Sequence, residues 1–481
     1  MKSIKIISGL VLVFVLLAST QTSICLAEDK EDVVPAYTPP QTQDLTPVKL
    51  PPIEERILNN GLKVVVVEHH ELPVVSLRLM CKAGSQYDPA GKAGATSFMA
   101  DLLTKGTKNR TASEIADEID FIGGNLGAGS GWSGTYVTCT VLKKHLAKGL
   151  DIMQDVVLNP TFADDEIERN RQSTLSSIVN SKDQPSSVAS KAYSEWLFGD
   201  HPYALPTEGT EETIAGLTRE DIVGMYDLIF APNNSVLFVV GDIKPKEGFK
   251  LAKEAFSSWE KGAAPVLSLP QTDAPEGYKI RLINKSDATQ AQIRMGHLGI
   301  SRDNEDYFPV TIMNYILGGG GFSSRLVKII RSEMGLTYGV SSSFSARLDQ
   351  GPFTISTFTK NESTLDAINA MLDVVKTYQE EGPTDQELQE AKSYLTGSYP
   401  LNFETPGDIA SQLQSIEIYG LGSDYIEKYR SRIDAVTQKD VMRVAQEYLH
   451  PEDMLIVVLS NAEEVKADLE QIGPVEVVEI D

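Results

Sequence analysis

The chain of 481 residues has little cysteine, histidine or aromatic material: three Cys, six His and 7% aromatic residues. So few cysteines exclude a disulfide-stabilised scaffold. No two histidines are spaced i, i+4, so a helix-borne metal site with two histidines on one face cannot form. Outside the N-terminus no apolar run has the length of a membrane-spanning helix. We therefore expect no membrane span in the remainder of the chain.

Positive charge is also scarce. The chain has 43 Lys and Arg against 67 Asp and Glu, a formal net charge of -24. This balance repels phosphate backbones, so we expect no nucleic-acid partner. The 41% hydrophobic content is nevertheless typical of a globular protein, and the length suffices for two large domains.

The N-terminus indicates export from the cytoplasm. Lys2 and Lys5 precede the apolar stretch 6–18, and small and polar residues follow up to Ala27. These features predict a signal peptide over residues 1–27, cleaved near Ala27, and a periplasmic or secreted mature chain. An alternative is lipid attachment at Cys25.

Two proline-rich stretches predict the domain boundaries. Residues 28–54 contain six prolines and few large apolar side chains, which favours an extended tether of unassigned role. A second such stretch, 263–277, separates two segments of similar length. The prediction is therefore an N-terminal domain over 55–262, a linker over 263–277 and a C-terminal domain over 278–481.

The two segments repeat each other. Thr218 and Thr437 are separated by 437 − 218 = 219 residues, and the same offset relates Asp221 to Asp440. Strand-like apolar runs follow both pairs. Such echoes in the same order indicate a duplicated domain.

Each half mixes helix and strand patterns. The β-branched runs 62–67 and 74–80, joined by a polar stretch, predict a hairpin. Apolar residues spaced i, i+3, i+4 predict a helix over 95–103. Thr111 with Glu114 forms a capping box for the next helix.

These patterns, with a further strand within 132–142, predict an α+β fold. We expect two homologous domains, each an antiparallel-rich β-sheet with helices covering one face.

For several histidines and for two cysteines we expect structural roles and no function in a site. His69 and His70 lie in the polar connection and are expected to be solvated. His297 shares strand parity with apolar residues and is expected to be hydrogen-bonded in the core. We favour two free, buried thiols for Cys81 and Cys139, with a single disulfide as the alternative.

Residues 83–88 and 94–107, the second ending in Gly106-Thr107, resemble the first helix region of the M16 metallopeptidases. This family includes pitrilysin, insulin-degrading enzyme and mitochondrial processing peptidase. The resemblance extends over about 55–464 and implies the same duplicated α+β fold. Active members carry His-x-x-Glu-His on this helix, where the histidines bind zinc and the glutamate is the general base. A glutamate from a later helix is the third zinc ligand.

Here the matching positions lack those groups. Counting back from Gly106-Thr107, the two histidine positions hold Ser97 and Asp101, and the general-base position holds Ala100. The position of the third ligand falls near Ser177. The resemblance therefore implies a degenerate zinc site and no metal bound by this chain.

A second motif of the family is retained. The glycine-rich loop corresponds to Gly318, Gly319, Gly320, Gly321 and Ser324, and an Arg-x6-Tyr pattern follows at Arg331 and Tyr338. In similar proteins this arginine and tyrosine reach the substrate at the zinc centre. An arginine can hold a peptide carbonyl and a tyrosine hydroxyl can donate to a developing oxyanion. A plain helix turn and a solvated helix cation are the alternative interpretation.

The leading hypothesis is a non-catalytic subunit of a periplasmic M16-type zinc peptidase, inactive alone. A partner subunit with His-x-x-Glu-His would supply the zinc, while Arg331, Tyr338 and the glycine-rich loop of this chain would contact an unfolded peptide substrate. A stand-alone peptide-binding or scaffolding protein is the alternative. An autonomous hydrolase would need a nucleophile and base that the sequence does not reveal.

Overall fold

A computed structural model describes residues 50–263 and 265–479. The predicted signal peptide, Cys25 and most of the predicted tether lie outside these residues. Cys81 and Cys139 are both buried free thiols, in agreement with the favoured prediction, and burial raises the pKa of each to about 12.

Within the described residues, the first half contains six strands: β1 (Ile53–Ile57), β2 (Lys63–Glu68), β3 (Val74–Cys81), β4 (Asn125–Ser130), β5 (Thr135–Leu142) and β6 (Ser235–Gly241). Its α-helices are α1 (Ala95–Leu102), α2 (Ala112–Phe121), α3 (Leu146–Leu158), α4 (Asp164–Lys182), α5 (Pro185–Phe198), α6 (Glu211–Gly216), α7 (Arg219–Ile229) and α8 (Pro245–Phe256). α2 begins at the predicted capping box, in which the Thr111 hydroxyl accepts a hydrogen bond from the Glu114 amide.

The described part of the second half has strands β7 (Lys279–Asn284), β8 (Gln290–Leu298), β9 (Val340–Phe344), β10 (Pro352–Lys360), β11 (Leu455–Ser460) and β12 (Val475–Glu479). Its α-helices are α9 (Tyr307–Asn314), α10 (Thr364–Glu381), α11 (Asp385–Ser398), α12 (Pro406–Tyr419), α13 (Tyr425–Ala435), α14 (Gln438–Tyr448) and α15 (Ala462–Leu469). Two π-helical segments, Tyr315–Gly319 and Val327–Glu333, flank the glycine-rich loop.

Each half forms a six-stranded sheet with the same internal order. The first sheet runs β1-β2-β6-β3-β5-β4 and the second β12-β7-β11-β8-β10-β9. Antiparallel pairs predominate, with parallel pairing of β2 to β6, of β7 to β11 and of β7 to β12. The equivalent helices α7 and α14 begin with the same capping box, at Thr218/Asp221 and Thr437/Asp440. The fold confirms the predicted α+β class with two homologous halves.

The predicted hairpin of β2 and β3 is wrong. β6 lies between these two strands, parallel to β2 and antiparallel to β3. The segment 69–73 therefore crosses the end of β6 and does not form a hairpin turn. All residues of β6 are buried, as expected for a central strand covered on both faces.

The second face of each sheet is covered by the other half of the chain. In β2, Val64 and Val66 pack against helices of their own half, whereas Val65 and Val67 pack against Ile409 and Leu413 of α12. The predicted helix layer on one face of each sheet thus comes from the same half, and the other half supplies a second layer.

The reverse exchange occurs at the second sheet. Val457 and Leu459 of β11 pack against Ala189 and Tyr193 of α5. Because each sheet needs a helix from the other half to bury its second face, the halves form one compact unit.

Equivalent arginines anchor the two exchanged helices, α12 and α5, each of which covers the sheet of the other half. Arg78 on β3 donates to the Ser411 hydroxyl at 2.9 Å and to Gln414 Oε1 at 3.0 Å, both on α12. Arg294 on β8 donates to the Ser190 hydroxyl at 2.9 Å and to the Ser186 carbonyl at 3.1 Å, both on α5. Burial lowers the pKa of both arginines.

Candidate functional site

The helix that carries the degenerate motif, α1, is fixed at its start by Asp88. The Asp88 carboxylate accepts hydrogen bonds from the Gly94 amide at 2.8 Å and the Thr96 amide at 2.9 Å. Gly94 has φ 87°, and a Cβ there would lie 2.7 Å from the Gly209 backbone. Burial outweighs the hydrogen bonds and raises the pKa of Asp88 to about 6. Asp88, the last residue of the family-like stretch 83–88, therefore serves to position α1.

The three motif positions on α1 offer a poor donor set. Ala100 is fully buried and has no donor atom. The Ser97 hydroxyl lies 3.5 Å from the Ser85 hydroxyl. Asp101 is exposed, yet partial desolvation raises the pKa of its carboxyl group, an effect that Lys105 partly offsets.

The fourth position, on α4, is no better. α4 packs against α1, with the Arg171 guanidinium 5.8 Å from the Phe98 ring centroid. The exposed Ser177 hydroxyl donates to the Ser173 carbonyl one turn earlier, at 3.1 Å. Across residues 50–263 and 265–479, no group of three or more His, Cys, Asp or Glu side chains could hold a metal ion. The zinc of active M16 enzymes therefore does not fit this donor set.

The histidines have other roles. His297 is 1% exposed, and its Nε2 accepts a hydrogen bond from the His450 amide at 3.1 Å. Burial lowers its pKa to about 4, in agreement with the predicted core position. His70 is exposed as predicted, but it also pairs with Glu68 at 2.7 Å and Asp242 at 2.5 Å, and these carboxylates raise its pKa.

The glycine-rich loop requires glycine for two reasons: a side chain would clash with neighbouring backbone at Gly318 and Gly320, and Gly321 has a positive φ. A Cβ on Gly318 would lie 2.5 Å from the Ser342 amide nitrogen on β9. Gly321 has φ 57° and open space around it. Gly319 and Gly320 lie between them. The loop therefore packs closely on the sheet at one end and projects at the other.

Ser324 supports this loop from inside. It is fully buried, and its hydroxyl donates to the Gly321 carbonyl at 2.7 Å. The next residue, Arg325, forms a two-pronged ion pair with Glu387 of α11, at 2.8 and 2.7 Å. This pair lowers the pKa of Glu387 to about 2. Ser324 and Arg325 thus shape the loop, and no short-range pattern in the sequence indicates that Glu387 is the partner of Arg325.

Arg331 and Tyr338 lie on the far side of the loop with their polar groups free. The Arg331 guanidinium lies 4.6 Å from the ring centroid of Phe322, which is 72% exposed. Tyr338 is 81% exposed. Neither the guanidinium nor the hydroxyl has a hydrogen-bond or ion-pair partner in the described part of the chain.

The backbone beside Tyr338 is held firmly. The Thr359 hydroxyl of β10 donates to the Leu336 carbonyl at 2.6 Å, and the Thr357 hydroxyl donates to the Gly339 carbonyl at 2.9 Å. An exposed tyrosine on a fixed backbone is pre-organised to contact a ligand, because little backbone freedom is lost on binding.

The edge of the first sheet is open to pairing. β4 pairs only with β5 among the described strands, and most of it is partly exposed. Its sequence contains Gly127 and Gly129, which let another chain approach closely. Such an edge can accept an extended peptide as an additional strand.

None of the helices within residues 50–263 and 265–479 combines the length and apolarity that crossing a bilayer requires.

Comparison with known proteins places these features in a family. The model of the insulinase family, peptidase family M16, matches residues 63–211, and the model of the peptidase M16 inactive domain matches residues 216–395. An uncharacterized zinc protease of Rickettsia bellii is 31% identical, over 70% of this chain and 81% of that protein. Another from Mycobacterium leprae is 31% identical, over 82% and 88% respectively.

Solved structures give the same answer. A peptidase M16 inactive domain from Pseudomonas fluorescens is 30% identical with a TM-score of 0.80, and the match covers 85% of this chain and 98% of that one. A protease from Helicobacter pylori has a TM-score of 0.79 over 85% and 100% of the two chains, and its 22% identity supports a shared fold only. The chain belongs to the peptidase M16 family.

Proposed function

We propose that this chain is the non-catalytic subunit of a periplasmic M16-type zinc peptidase. It binds extended peptide substrate and provides Arg331, Tyr338 and the glycine-rich loop to a partner subunit that carries His-x-x-Glu-His. One observation carries the proposal: the chain keeps free Arg331 and Tyr338 groups beside a fixed backbone, whereas its α1 helix has no metal-binding donor set. The partner would hold the zinc, and this chain would bind none.

The chemistry expected of each residue follows from its exposure. The Arg331 guanidinium can donate to a peptide carbonyl, and the Tyr338 hydroxyl can donate to the oxyanion that forms when a peptide bond is attacked. Phe322 holds the guanidinium against its ring, which limits the positions that Arg331 can take. The free edge of β4 would add backbone hydrogen bonds that are insensitive to peptide sequence.

The test is reconstitution of peptide cleavage from two purified chains, this one and a family member with His-x-x-Glu-His encoded beside it. Cleavage should require both chains. Tyr338→Phe should lower kcat about 100-fold, in the range measured for loss of an oxyanion donor. Arg331→Ala should lower kcat/KM by at least about tenfold, because it removes a contact to the peptide.

Matched controls separate these effects from general damage. Tyr394→Phe changes another exposed tyrosine, and Arg56→Ala another arginine that stacks on an aromatic ring. Both should leave cleavage unchanged. Full cleavage by the partner alone would favour the scaffolding alternative, and chelator-sensitive cleavage by this chain alone would overturn the proposal.

A further inference from the structure

A cavity of about 250 Å³ lies between the beginning of α9, α12 and α13, away from the glycine-rich loop. Five tyrosines and one arginine dominate its wall: Arg302, Tyr307, Tyr399, Tyr419, Tyr425 and Tyr429. It adjoins a wider depression of about 600 Å³, with which it shares five lining residues: Arg302, Tyr307, Tyr419, Leu421 and Tyr425. A site of this size and composition is large enough for a small organic ligand with a polar end.

Arg302 presents a charge without a counter-ion. Its guanidinium lies 3.5 Å from the ring centroid of Tyr307 and donates to the Tyr425 hydroxyl at 2.6 Å. No carboxylate among the described residues lies within 4.0 Å of it, although the chain has 67 acidic side chains to 43 basic ones. Other arginines, such as Arg325 and Arg443, do form close ion pairs. The remaining guanidinium N–H groups of Arg302 are therefore available to an anion.

The backbone of Arg302 is held in place. Its amide donates to the Arg347 carbonyl at 2.7 Å, which ties the loop before α9 to the loop after β9. The stacking on Tyr307 and the hydrogen bond to Tyr425 also restrict the guanidinium. Binding an anion would therefore cost little side-chain ordering.

Tyr399 supplies the second, independent observation. It is 5% exposed and stacks on Tyr429, with ring centroids 3.8 Å apart and an angle of 8° between the planes. Its hydroxyl is buried and has no hydrogen-bond partner within the described chain. Burial raises the pKa of Tyr399, so the hydroxyl keeps its proton and can donate. A buried hydroxyl without a partner is destabilising, and a bound acceptor would remove that cost.

The charge pattern selects the class of ligand. Aromatic cages commonly hold cations, but here the guanidinium of Arg302 already occupies the ring faces. An anionic group that accepts hydrogen bonds suits the inner cavity. Acidic residues Asp303, Glu305 and Asp440 line only the wider depression, and they favour a neutral or positively charged remainder of the ligand.

We propose that this cavity binds a carboxylate, either of a free small molecule or of the C-terminal end of a peptide, with Arg302 as the ion-pair partner and Tyr399 as a hydrogen-bond donor. The site lies apart from Arg331 and Tyr338, and it requires no partner subunit. The proposal therefore goes beyond the proposed peptidase role and stands or falls independently.

The experiment is isothermal titration calorimetry on the full chain alone, at neutral pH, with two pairs of probes. N-acetyl-leucine is compared with N-acetyl-leucinamide, and the peptide acetyl-Gly-Gly-Ala-Leu is compared with its C-terminal amide. At least one acid should bind at least about tenfold more tightly than its amide, because a charge-assisted hydrogen bond is lost in the amide. Binding of only the small acid would identify a free carboxylate ligand, and binding of only the peptide acid would identify chain ends.

Variants assign the contact. Arg302→Met should weaken acid binding at least about tenfold, and Tyr399→Phe should weaken it about three- to tenfold while keeping the stacking on Tyr429. Arg56→Met is the matched control, because Arg56 also stacks on a ring, that of Phe249, but lies on β1. Equal affinity for acid and amide, no binding of either acid up to about 10 mM, or acid binding that Tyr399→Phe and Arg302→Met leave unchanged would overturn the proposal.

Discussion

The two halves share one order of elements but differ at the segment after their first helix. In the first half, α1 leads to a loop that Arg110 ties to Asp155 of α3 at 2.6 Å. In the second half, α9 leads to the glycine-rich loop, where Phe322 projects into solvent, and Tyr338 projects into solvent beyond the following π-helical segment. The duplicated halves thus keep the same core, while their loops differ. In this chain the half that contains Ser97, Ala100 and Asp101 has its loop tied to α3 by an ion pair, and the other half presents the free polar groups of Arg331 and Tyr338.

The halves also differ at their outer strands. β1 precedes the first sheet in the chain and pairs antiparallel with β2, whereas β12 ends the second sheet and pairs parallel with β7. Inside these edges the strand order is identical. Duplication therefore explains the inner five strands of each sheet, and the sixth is a separate addition.

The largest effect is expected at the arginines that anchor the exchanged helices. Arg294 makes four hydrogen bonds and Arg78 makes two. Arg294→Met should lower the free energy of unfolding by about 3–4 kcal/mol and Arg78→Met by about 2 kcal/mol, because buried polar groups lose their partners. Urea unfolding of both variants measures this. A larger loss for Arg78→Met would break the expected asymmetry between the halves.

The second comparison is between buried histidines. His297 has a pKa of about 4 in the folded protein and about 6.5 when unfolded, so the unfolded state binds the proton first as pH falls. Its contribution to stability is complete above about pH 6.5 and is lost as pH falls toward 4. The loss is about 2 kcal/mol by pH 5 and about 3 kcal/mol in total.

His201 of the first half also has a lowered pKa, but nearby Asp349 opposes the shift. Between pH 7.5 and 5, the free energy of unfolding measured with urea should therefore depend less on pH in His297→Gln than in His201→Gln. Equal pH dependence in the wild-type chain and His297→Gln would contradict the assignment.

The third test is inside the glycine-rich loop. Gly318→Ala should lower the free energy of unfolding by about 2 kcal/mol, because its Cβ would meet the Ser342 backbone at 2.5 Å. Gly321→Ala should cost about 1 kcal/mol, since only its positive φ opposes a side chain. Thermal unfolding of both variants measures the difference, and a smaller cost for Gly318→Ala would show that the loop is not held against β9.

The smallest effects on stability are expected at the motif positions Ser97, in the first half, and Tyr338, in the second half. Ser97→Ala and Tyr338→Phe should each change the free energy of unfolding by less than about 0.5 kcal/mol, because neither side chain is buried. Denaturant unfolding of each variant beside the wild-type chain checks this. A loss above about 1 kcal/mol for Tyr338→Phe would indicate a structural role for that tyrosine.

Much of the fold is predictable from local pattern. The apolar spacing over 95–103 predicts α1, and Thr111 with Glu114 marks the start of α2. The 219-residue offset between Thr218 and Thr437 corresponds to the capping boxes of α7 and α14. These features depend only on residues that are close together in the chain, so they can be predicted from the sequence alone.

Long-range pairing is not visible in such patterns. The segment 69–73 resembles a hairpin turn in the sequence. No neighbouring residue indicates that β6 lies between β2 and β3. The apolar face of α12 likewise does not state which sheet it covers. The cavity at Arg302 and Tyr399 is lined by residues from four separate segments, so no sequence motif predicts it.

The candidate site was predictable in part. Ser97, Ala100 and Asp101 could be placed by counting from Gly106-Thr107, and Arg331 and Tyr338 by their spacing. The sequence could not separate the buried Ser324 from the exposed Tyr338, because exposure depends on how the loop packs against β9 and β10.

The most direct test of the account is the zinc content of the purified chain after equilibrium dialysis against micromolar zinc. The control is the triple variant Ser97→His, Ala100→Glu and Asp101→His, which restores the helix-borne motif. The wild-type chain should retain less than about 0.1 equivalent of zinc, and the triple variant should retain more. Retention of about one tightly bound zinc per wild-type chain would contradict the claim that this polypeptide depends on another subunit for its metal.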